Sequence, residues 1–462
     1  MAPRRKNGAL ATIARHLTSG GDGVAYEDYI TDVSAAREPN ALRELYPLLK
    51  IPGMLSLGNG QPNPSCFPFE EMEVKFNGGI TVKLEGKEMA AAVQYDDTVG
   101  TALLREWIGM YMEDEHAPPT IAAGRDFMVT IGSQDALAKA VEMLCGPEGT
   151  ILTESPSYPG AIGPIRSCGT SIIGVEIDEH GITPGSLQTA IAGAAASGQP
   201  TPKVLYLIPH GQNPSGSSMP LWRKKEVYQA CREHSLLLIE DDPYHHLQLE
   251  GDAAEFGSFY QLDVDGRVLR LDSFSKVLGG GLRLGWVSGP TPLVERMRLH
   301  QQSTTMQAST LSMTLAARLL TEWGLDGYRQ HIEKVQAFYR SRRDVMAAAA
   351  AKHLSGLALW KPPVAGMFFW FDLAPSGVVD SSPLILEKCR DKKVLLAPGQ
   401  AFSVATDGTP SRFARASFSV AEPEAIEEAF SRLAQVLEEF KLEQTQAAAV
   451  AVSAAATAEA ER

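Results

Sequence analysis

Ser273-Phe274-Ser275-Lys276-Val277-Leu278-Gly279-Gly280-Gly281-Leu282-Arg283-Leu284-Gly285-Trp286 is the stretch that decides how this chain reads. It sets a lysine, two serine hydroxyls, a glycine run and an arginine directly behind the strand-like run Val268-Leu269-Arg270-Leu271-Asp272. A lysine behind a strand can reach inward and form an imine with an aldehyde. Hydroxyls and a guanidinium are groups that hold a phosphate dianion, and glycines let backbone approach closely. An aldehyde that also carries a phosphate describes pyridoxal phosphate, held covalently by Lys276. Taken alone, the segment also reads as a flexible surface loop with a solvated lysine.

Outward from this stretch, short β-branched or apolar runs alternate with helical periodicity, which is the pattern of an α/β fold with a largely parallel sheet. Strands are expected at 127–131, 150–153, 204–208, 236–240 and 268–271, and their near-continuous apolar character predicts burial on both faces. Helices are expected at 134–144 and 221–234, with a long amphipathic stretch around 315–349. After about residue 340 the texture changes. A strand at 366–371, a helix at 385–390, a strand at 412–418 and a closing helix at 421–440 predict a smaller α+β domain, completed by the segment before residue 90. No internal repeat is visible.

Ligands of open α/β sheets sit at the carboxyl ends of the strands, and those ends are polar here. The first strand runs into Gly132-Ser133-Gln134-Asp135 at the head of a helix, where backbone N–H groups and the helix dipole favour a phosphate. Ser133 and Gln134 can add donors, though the same residues suit an ordinary helix cap. Tyr158, in Ser157-Tyr158-Pro159, could stack on a pyridine face or simply line a core. Asn213, in Gln212-Asn213-Pro214-Ser215-Gly216, is held extended by the following proline and could donate to a phenolic oxygen. Asn-Pro-Ser-Gly is also a good turn anywhere. Asp241, in Asp241-Asp242-Pro243-Tyr244, offers a carboxylate to a pyridine nitrogen, and Tyr244 a second phenolic-oxygen donor. The neighbouring His245-His246 pair reads as non-ligand, because adjacent residues point their rings apart. Each segment is weak alone, but chance would have to place every one of them at a strand end.

Composition removes other classes. The chain has 462 residues, 44% of them hydrophobic and 21% charged, with a net charge of −13. That length allows a large core and two domains. The acidic balance argues against nucleic acid, whose phosphates need a basic face, and no apolar run approaches a membrane span. The five cysteines, Cys66, Cys145, Cys168, Cys231 and Cys389, never form C-x-x-C. They read as reduced thiols, with no disulfide framework and no metal site. The N-terminal residues are basic, with no acid before Asp22, which suits a mitochondrial presequence and a disordered leader equally. Mitochondrion and cytoplasm therefore both remain open. The Ala-rich end from about Gln444 reads as a frayed helix or a disordered tail.

With these residues in view, the chain resembles the class I/II aminotransferases of fold type I. Within them it is most similar to the kynurenine/2-aminoadipate aminotransferases and the fungal-type aromatic amino acid aminotransferases. The likeness spans residues 29–440 and includes Ser34-Ala35-Ala36-Arg37-Glu38-Pro39, Ser56-Leu57-Gly58-Asn59-Gly60-Gln61-Pro62-Asn63-Pro64 and Arg415-Ala416-Ser417-Phe418-Ser419. It implies a large domain with a mostly parallel seven-stranded sheet plus the smaller α+β domain. The implied division is a leader over 1–28, an arm and part of the small domain over 29–90, a cofactor domain over 91–340, the small domain over 341–442 and a tail over 443–462.

Carried over position by position, the resemblance makes Lys276 the cofactor-bearing lysine and Asp241 the partner of the pyridine nitrogen. Tyr244 and Asn213 become donors to the phenolic oxygen, and Tyr158 the stacking ring. Ser133, Gln134, Ser273, Ser275 and Arg283 become the phosphate cup. Tyr95 matches a tyrosine contributed by a neighbouring subunit, which implies a homodimer with shared active sites. Arg415 matches the arginine that clamps the substrate carboxylate; Gly60 and Arg43 match residues near the substrate. The family's kynurenine-type members carry Ala-Gly-Gly-Leu where this chain has Gly58-Asn59-Gly60-Gln61, so the polar Gln61 bears on the ranking of aromatic against acidic substrates. The implied activity is ping-pong transfer of an amino group from an aromatic amino acid, kynurenine or 2-aminoadipate to a 2-oxo acid such as 2-oxoglutarate. A pyridoxal-phosphate lyase on the same scaffold is the alternative. A non-catalytic sensor is disfavoured, because about thirty residues precede the likeness, too few for a DNA-binding domain.

Overall fold

The computed structural model describes residues 24–45, 48, 51–58, 60–251 and 253–460. Thirteen strands are numbered in chain order. They are β1 (Glu71–Lys75), β2 (Thr81–Glu85), β3 (Arg125–Thr130), β4 (Thr150–Ser155), β5 (Ser171–Asp178), β6 (Gly181–Ile182), β7 (Val204–Leu207), β8 (Leu237–Asp241), β9 (Val268–Ser273), β10 (Gly285–Pro290), β11 (Phe368–Asp372), β12 (Ala397–Pro398) and β13 (Phe413–Ser417). The large sheet has the order β3-β10-β9-β8-β7-β4-β5-β6. From β5 through β4, β7 and β8 to β9 every pairing is parallel, while β10 runs antiparallel to both its neighbours. Seven full strands thus make a mostly parallel sheet, and the two-residue β6 hairpins onto β5 as an eighth.

The central strands β7, β8 and β9 are buried along their whole lengths. Successive side chains alternate between faces, so each strand feeds two cores. Leu205, Leu207 and Leu238 pack with Trp107, Phe274 and Trp286 on one face. Val204, Tyr206, Ile239, Leu269 and Leu271 pack on the other with Leu137, Ala140 and Val141 of the helix Ser133–Leu144. Each fully buried Leu or Ile contributes about 2 kcal/mol through area removed from water.

A separate antiparallel sheet, β11-β13-β12, pairs Phe368 with Ser417 and Trp370 with Arg415. Phe369 and Phe371 face a core closed by Ile426, Phe430 and Leu433 of the last helix. By alternation, Phe368, Trp370 and Arg415 share the opposite face.

Several elements differ from the sequence expectation. Strands β5 and β10 are additional, because glycines and a proline give Gly285–Pro290 the texture of a loop. The hairpin β1-β2 makes its own sheet and packs its apolar side against Leu311 and Leu315 rather than joining the three-stranded sheet. The long amphipathic helix spans Thr310–His353 and breaks at Gly324, where φ is +58°. The closing helix runs Pro423–Ala460, well into the segment expected as tail. The expected leader lies outside the described residues up to residue 23. From there the chain is already packed, with Tyr26 buried and donating to the Gly266 carbonyl at 2.8 Å.

One contact joins the two sheets without side chains. Gly211, in the loop after β7, has φ +49°, and a Cβ there would lie 2.4 Å from Gly366 Cα, just before β11. Positive φ and a backbone neighbour both exclude larger residues. Gly211→Ala is therefore expected to lower unfolding stability by about 3 kcal/mol, read as the shift in a denaturant melt; an unchanged midpoint would contradict this close approach.

Candidate active site

Parallel strands deliver their carboxyl ends to one edge of the sheet. There, Ser133, Gln134, Tyr158, Asn213, Asp241, Tyr244, Ser273, Ser275, Lys276 and Arg283 line a cavity of about 200 Å³. Ten of the residues singled out in the sequence are thus brought together by five different connections.

The helix Ser133–Leu144 opens at Gly132, whose φ is +75°, and no side chain caps it. Ser133 is therefore the first helical residue rather than the cap. A Cβ on Gly132 would lie 2.7 Å from an Arg283 nitrogen, so the glycine makes room for the guanidinium over the helix N-terminus. Arg283 also meets the Ser275 hydroxyl at 3.5 Å, and the Ser273 hydroxyl accepts from the Ser275 backbone N–H at 3.1 Å. Tyr158 donates to Gln134 Oε1 at 3.2 Å, and Gln134 Nε2 donates to the Gly160 carbonyl at 2.7 Å.

Lys276 sits in a single π-helical turn, Ser275–Gly279, with Nζ 5.8 Å from the centre of the Tyr244 ring. Burial lowers its pKa first, and the Arg283 and Arg415 charges lower it further; no carboxylate is among the charges acting on it. The lysine is thus biased toward the neutral amine.

Asp241 ends β8 and is buried. Its Oδ2 accepts from the Tyr206 hydroxyl at 2.9 Å, while its Oδ1 has no hydrogen-bond partner among the described residues. Burial raises its pKa to about 7, with the Tyr206 hydrogen bond pulling the other way. Beside it, burial raises Glu154 to about 8, against hydrogen bonds from the Ile208 N–H and Gln212. Tyr244 is also raised by burial, with Asn213 hydrogen-bonded to it in opposition.

Arg415 reaches the site from β13. Its Nη1 donates to Asn213 Oδ1 at 2.7 Å. Its guanidinium carbon lies 4.2 Å from the Phe368 ring centre and 4.9 Å from that of Phe402. Its Nε is buried with no hydrogen-bond partner among the described residues. Burial lowers its pKa, opposed by Tyr244 and Tyr158.

Tyr95, Arg43 and Gly60 lie elsewhere in this chain. Arg43 is buried, donates to the Asp96 carbonyl at 2.8 Å and stands 5.9 Å from the centre of the half-exposed Tyr95 ring. Gly60 is exposed. Four neighbours went unnoticed in the sequence: Tyr206, Glu154, Phe368 and Phe402. The one local signal was a polar tip or acid inside an apolar strand, as at Tyr206 and Glu154.

Residues 80–433 match the family model for aminotransferase class I and II. The chain belongs to that family. It is 41% identical over 427 residues to the mitochondrial kynurenine/alpha-aminoadipate aminotransferase of Bos taurus, covering 90% of this chain and 99% of the relative. Among solved structures, the aminotransferase Aro8 of Candida albicans superposes with a TM-score of 0.81 at 27% identity, covering 91% of this chain and 100% of that one. The Pyrococcus horikoshii kynurenine aminotransferase, solved with PMP, has a TM-score of 0.70 at 28% identity, covering 89% and 98%. The aminotransferase is accordingly an enzyme of the fold type I architecture. Among the described residues, no helix is long and apolar enough to cross a membrane.

The buried carboxyl supplies a test in the cofactor-free aminotransferase. An acid whose folded pKa lies above its unfolded value costs stability as pH rises from the unfolded pKa to the folded one. For Asp241 that window runs from about pH 4 to about pH 7. The melting temperature of Asp241→Asn minus that of the native protein is expected to grow across this window and level off above it. A difference that stays flat with pH would show that Asp241 ionises normally.

Proposed function

We propose that this chain is a pyridoxal-phosphate-dependent aminotransferase that moves the amino group of aromatic amino acids, kynurenine or 2-aminoadipate to a 2-oxo acid such as 2-oxoglutarate. One observation carries the reading. Lys276 and Arg283 line the cavity and Arg415 is joined to its wall through Asn213; among the described residues no carboxylate is among the charges acting on the lysine, while the wall holds a buried acid with an unsatisfied oxygen. The site therefore calls for a ligand with two anionic groups and one N–H donor.

Pyridoxal phosphate fits that demand. Ser133, Ser273, Ser275, Arg283 and the open N-terminus above Gly132 would hold its phosphate. The unpartnered Oδ1 of Asp241 would take the ring nitrogen, with Tyr206 orienting the carboxylate. Tyr244 and Asn213 would donate to the phenolic oxygen, Tyr158 would cover the ring, and Gln134 holds Tyr158 in place. When bound, the cofactor supplies an aldehyde that carries the amino group and a ring that withdraws electrons from the carbon bearing it. Arg415, gripped at one nitrogen by Asn213, presents its remaining edge to the substrate carboxylate. Lys276, biased toward the amine, takes the proton from the substrate α-carbon and returns it. Amino donor and oxo-acid acceptor share the one Arg415, so they exclude each other, which is the basis of ping-pong kinetics.

The similarity to the kynurenine/alpha-aminoadipate aminotransferase of Bos taurus and the kynurenine aminotransferase of Pyrococcus horikoshii supports the substrate class. A homodimer with shared sites belongs to the same proposal, with Tyr95, Arg43 and Gly60 serving the neighbouring cavity. Leu55 and Leu57, 94% and 104% exposed in the single chain, support a partner surface there. The division at 29–90, 91–340 and 341–442 stands as part of this reading. The compartment is mitochondrial or cytoplasmic; the basic stretch before Asp22 and the mitochondrial relative support import.

Adding pyridoxal phosphate to the purified protein is expected to produce a visible absorption band that L-glutamate bleaches. No band would overturn the cofactor assignment, and a band with ammonia rather than oxo acid as product would point to a lyase. Lys276→Ala should lower turnover by about 10⁴-fold or more with the melt little changed. Arg415→Lys, which keeps charge but loses the planar fork, should raise KM for the amino acid by about tenfold or more. Near-native kinetics in either variant would remove that residue from its role.

A further inference from the structure

On the face of the sheet away from Asp241 lies a buried layer of charge. Glu240 and Asp242 flank Asp241 on β8 and beyond it, and the period of two turns both to the side opposite that of Asp241. Arg270 of β9 is fully buried there. Its Nη1 stands 3.2 Å from Glu240 and 3.0 Å from Asp242, and its Nη2 is 2.8 Å from Asp272. Asp242 is reached from a third direction by His210, whose Nδ1 lies 2.9 and 2.8 Å from the two carboxylate oxygens. His210 is 1% exposed and belongs to the loop after β7 that carries Asn213. Its other nitrogen, Nε2, meets Lys224 Nζ at 2.9 Å, and Lys224 donates as well to the carbonyls of Phe256 and Gly257 at 2.8 and 2.9 Å.

These contacts fix the chemistry of His210. An ionised Asp242 can only accept, so the ring proton sits on Nδ1, facing it, and Nε2 accepts from Lys224. His210, Asp242 and His245 have ligand atoms within 4.8 Å of one another, a spacing that would suit a metal ion. Here Arg270 and Lys224 already supply the positive charge that a cation would bring.

The layer spans two of the connections that form the cavity. The loop after β7 carries Asn213, which holds Arg415 at 2.7 Å. The connection after β8 carries Asp241 and Tyr244. The His210–Asp242 pair ties the start of one to the start of the other, three residues from Asn213 and one from Asp241, on the face opposite the Asn213–Tyr244 and Tyr206–Asp241 hydrogen bonds.

We infer that His210 is a positioning residue, which acts through Asp242 to hold the Asn213 loop in register with Asp241 and Tyr244. The inference deepens the aminotransferase reading and rests on it for the kinetic outcome alone. A group that orients donors without touching substrate acts on kcat through the geometry of reaction, and because Asn213 also holds Arg415, displacing its loop loosens the carboxylate clamp and raises KM as well.

Amide hydrogen exchange on the cofactor-free protein tests the coupling directly, since it needs neither cofactor nor turnover. In His210→Ala, exchange is expected to rise together in residues 209–216 and 241–247, and Lys224→Met should move both segments the same way by less. His210→Asn, which keeps a donor toward Asp242, should return 241–247 to native protection. In the pyridoxal-phosphate-loaded enzyme, His210→Ala should lower kcat by about tenfold and raise KM for the amino acid by about threefold, with His210→Asn restoring both toward native values. Exchange confined to 209–216 in His210→Ala, with kcat at the native value, would reduce His210 to a local support and overturn the inference. Should that variant not fold, Lys224→Met and His210→Asn carry the same comparison: protection of 241–247 unchanged by Lys224→Met and still lost in His210→Asn would overturn it. Failure of the native protein to take up pyridoxal phosphate would count against the proposed function and leave the exchange result standing.

Discussion

A strand puts consecutive side chains on opposite faces, and at Glu240-Asp241-Asp242 that constraint turns one run of acids into two environments. Asp241 faces the cavity, where Tyr206 satisfies one oxygen and the other has no protein partner. Glu240 and Asp242 face Arg270. Glu240 also accepts from the backbone N–H groups of Phe259 and Tyr260 at 2.8 and 3.1 Å. A shift of one residue in β8 would exchange these roles, leaving a functional acid locked to arginine and structural acids facing a ligand. The register of β8 against β7 and β9 is therefore the condition on which the site depends.

The two faces differ in how their charge is settled. The layer around Arg270 is internally paired and fully buried. Ion pairs of this kind add little net stability over apolar packing, but removing one partner leaves an uncompensated buried charge that costs about 3–5 kcal/mol. Such a layer tolerates only one arrangement. The cavity face is the opposite case: among the described residues no carboxylate is among the charges acting on Lys276 or Arg415, and Asp241 is pushed toward neutrality by burial. One half of the sheet edge is closed electrostatically and the other is left open to ligand.

Much of this was legible in the residue order. The apolar runs at 204–208 and 268–271 predicted buried parallel strands because few polar groups interrupt them, and the polar residues following each strand pointed to the cavity. What stayed hidden depended on pairing between distant segments. Gly285–Pro290 forms a strand because β3 and β9 flank it on both sides, which overrides its glycines. Arg270 lay in plain view inside an apolar strand, yet two of its three partners, Glu240 and Asp242, come from a distant segment. His210 carries no local signal, since its partner is an aspartate more than thirty residues onward. Phe368 and Phe402 carry no polar atoms, so only the register of β11 against β13 brings the first of them over Arg415.

The rings of Phe368 and Phe402 near Arg415 have a stereochemical consequence. A guanidinium flanked by aromatic rings offers a partner chiefly its rim, and Asn213 already occupies part of that rim. What remains is a flat, two-pronged slot that an approaching anion meets edge-on. A trigonal planar carboxylate matches such a slot, whereas a tetrahedral phosphate can align only part of itself with it. At the other end of the cavity the donors are hydroxyls, a helix N-terminus and an arginine set at varied angles, an arrangement suited to a tetrahedron. Two anions of different shape entering the same cavity would be sorted by geometry before charge distinguishes them, and the direction in which a bifunctional molecule lies follows from that sorting.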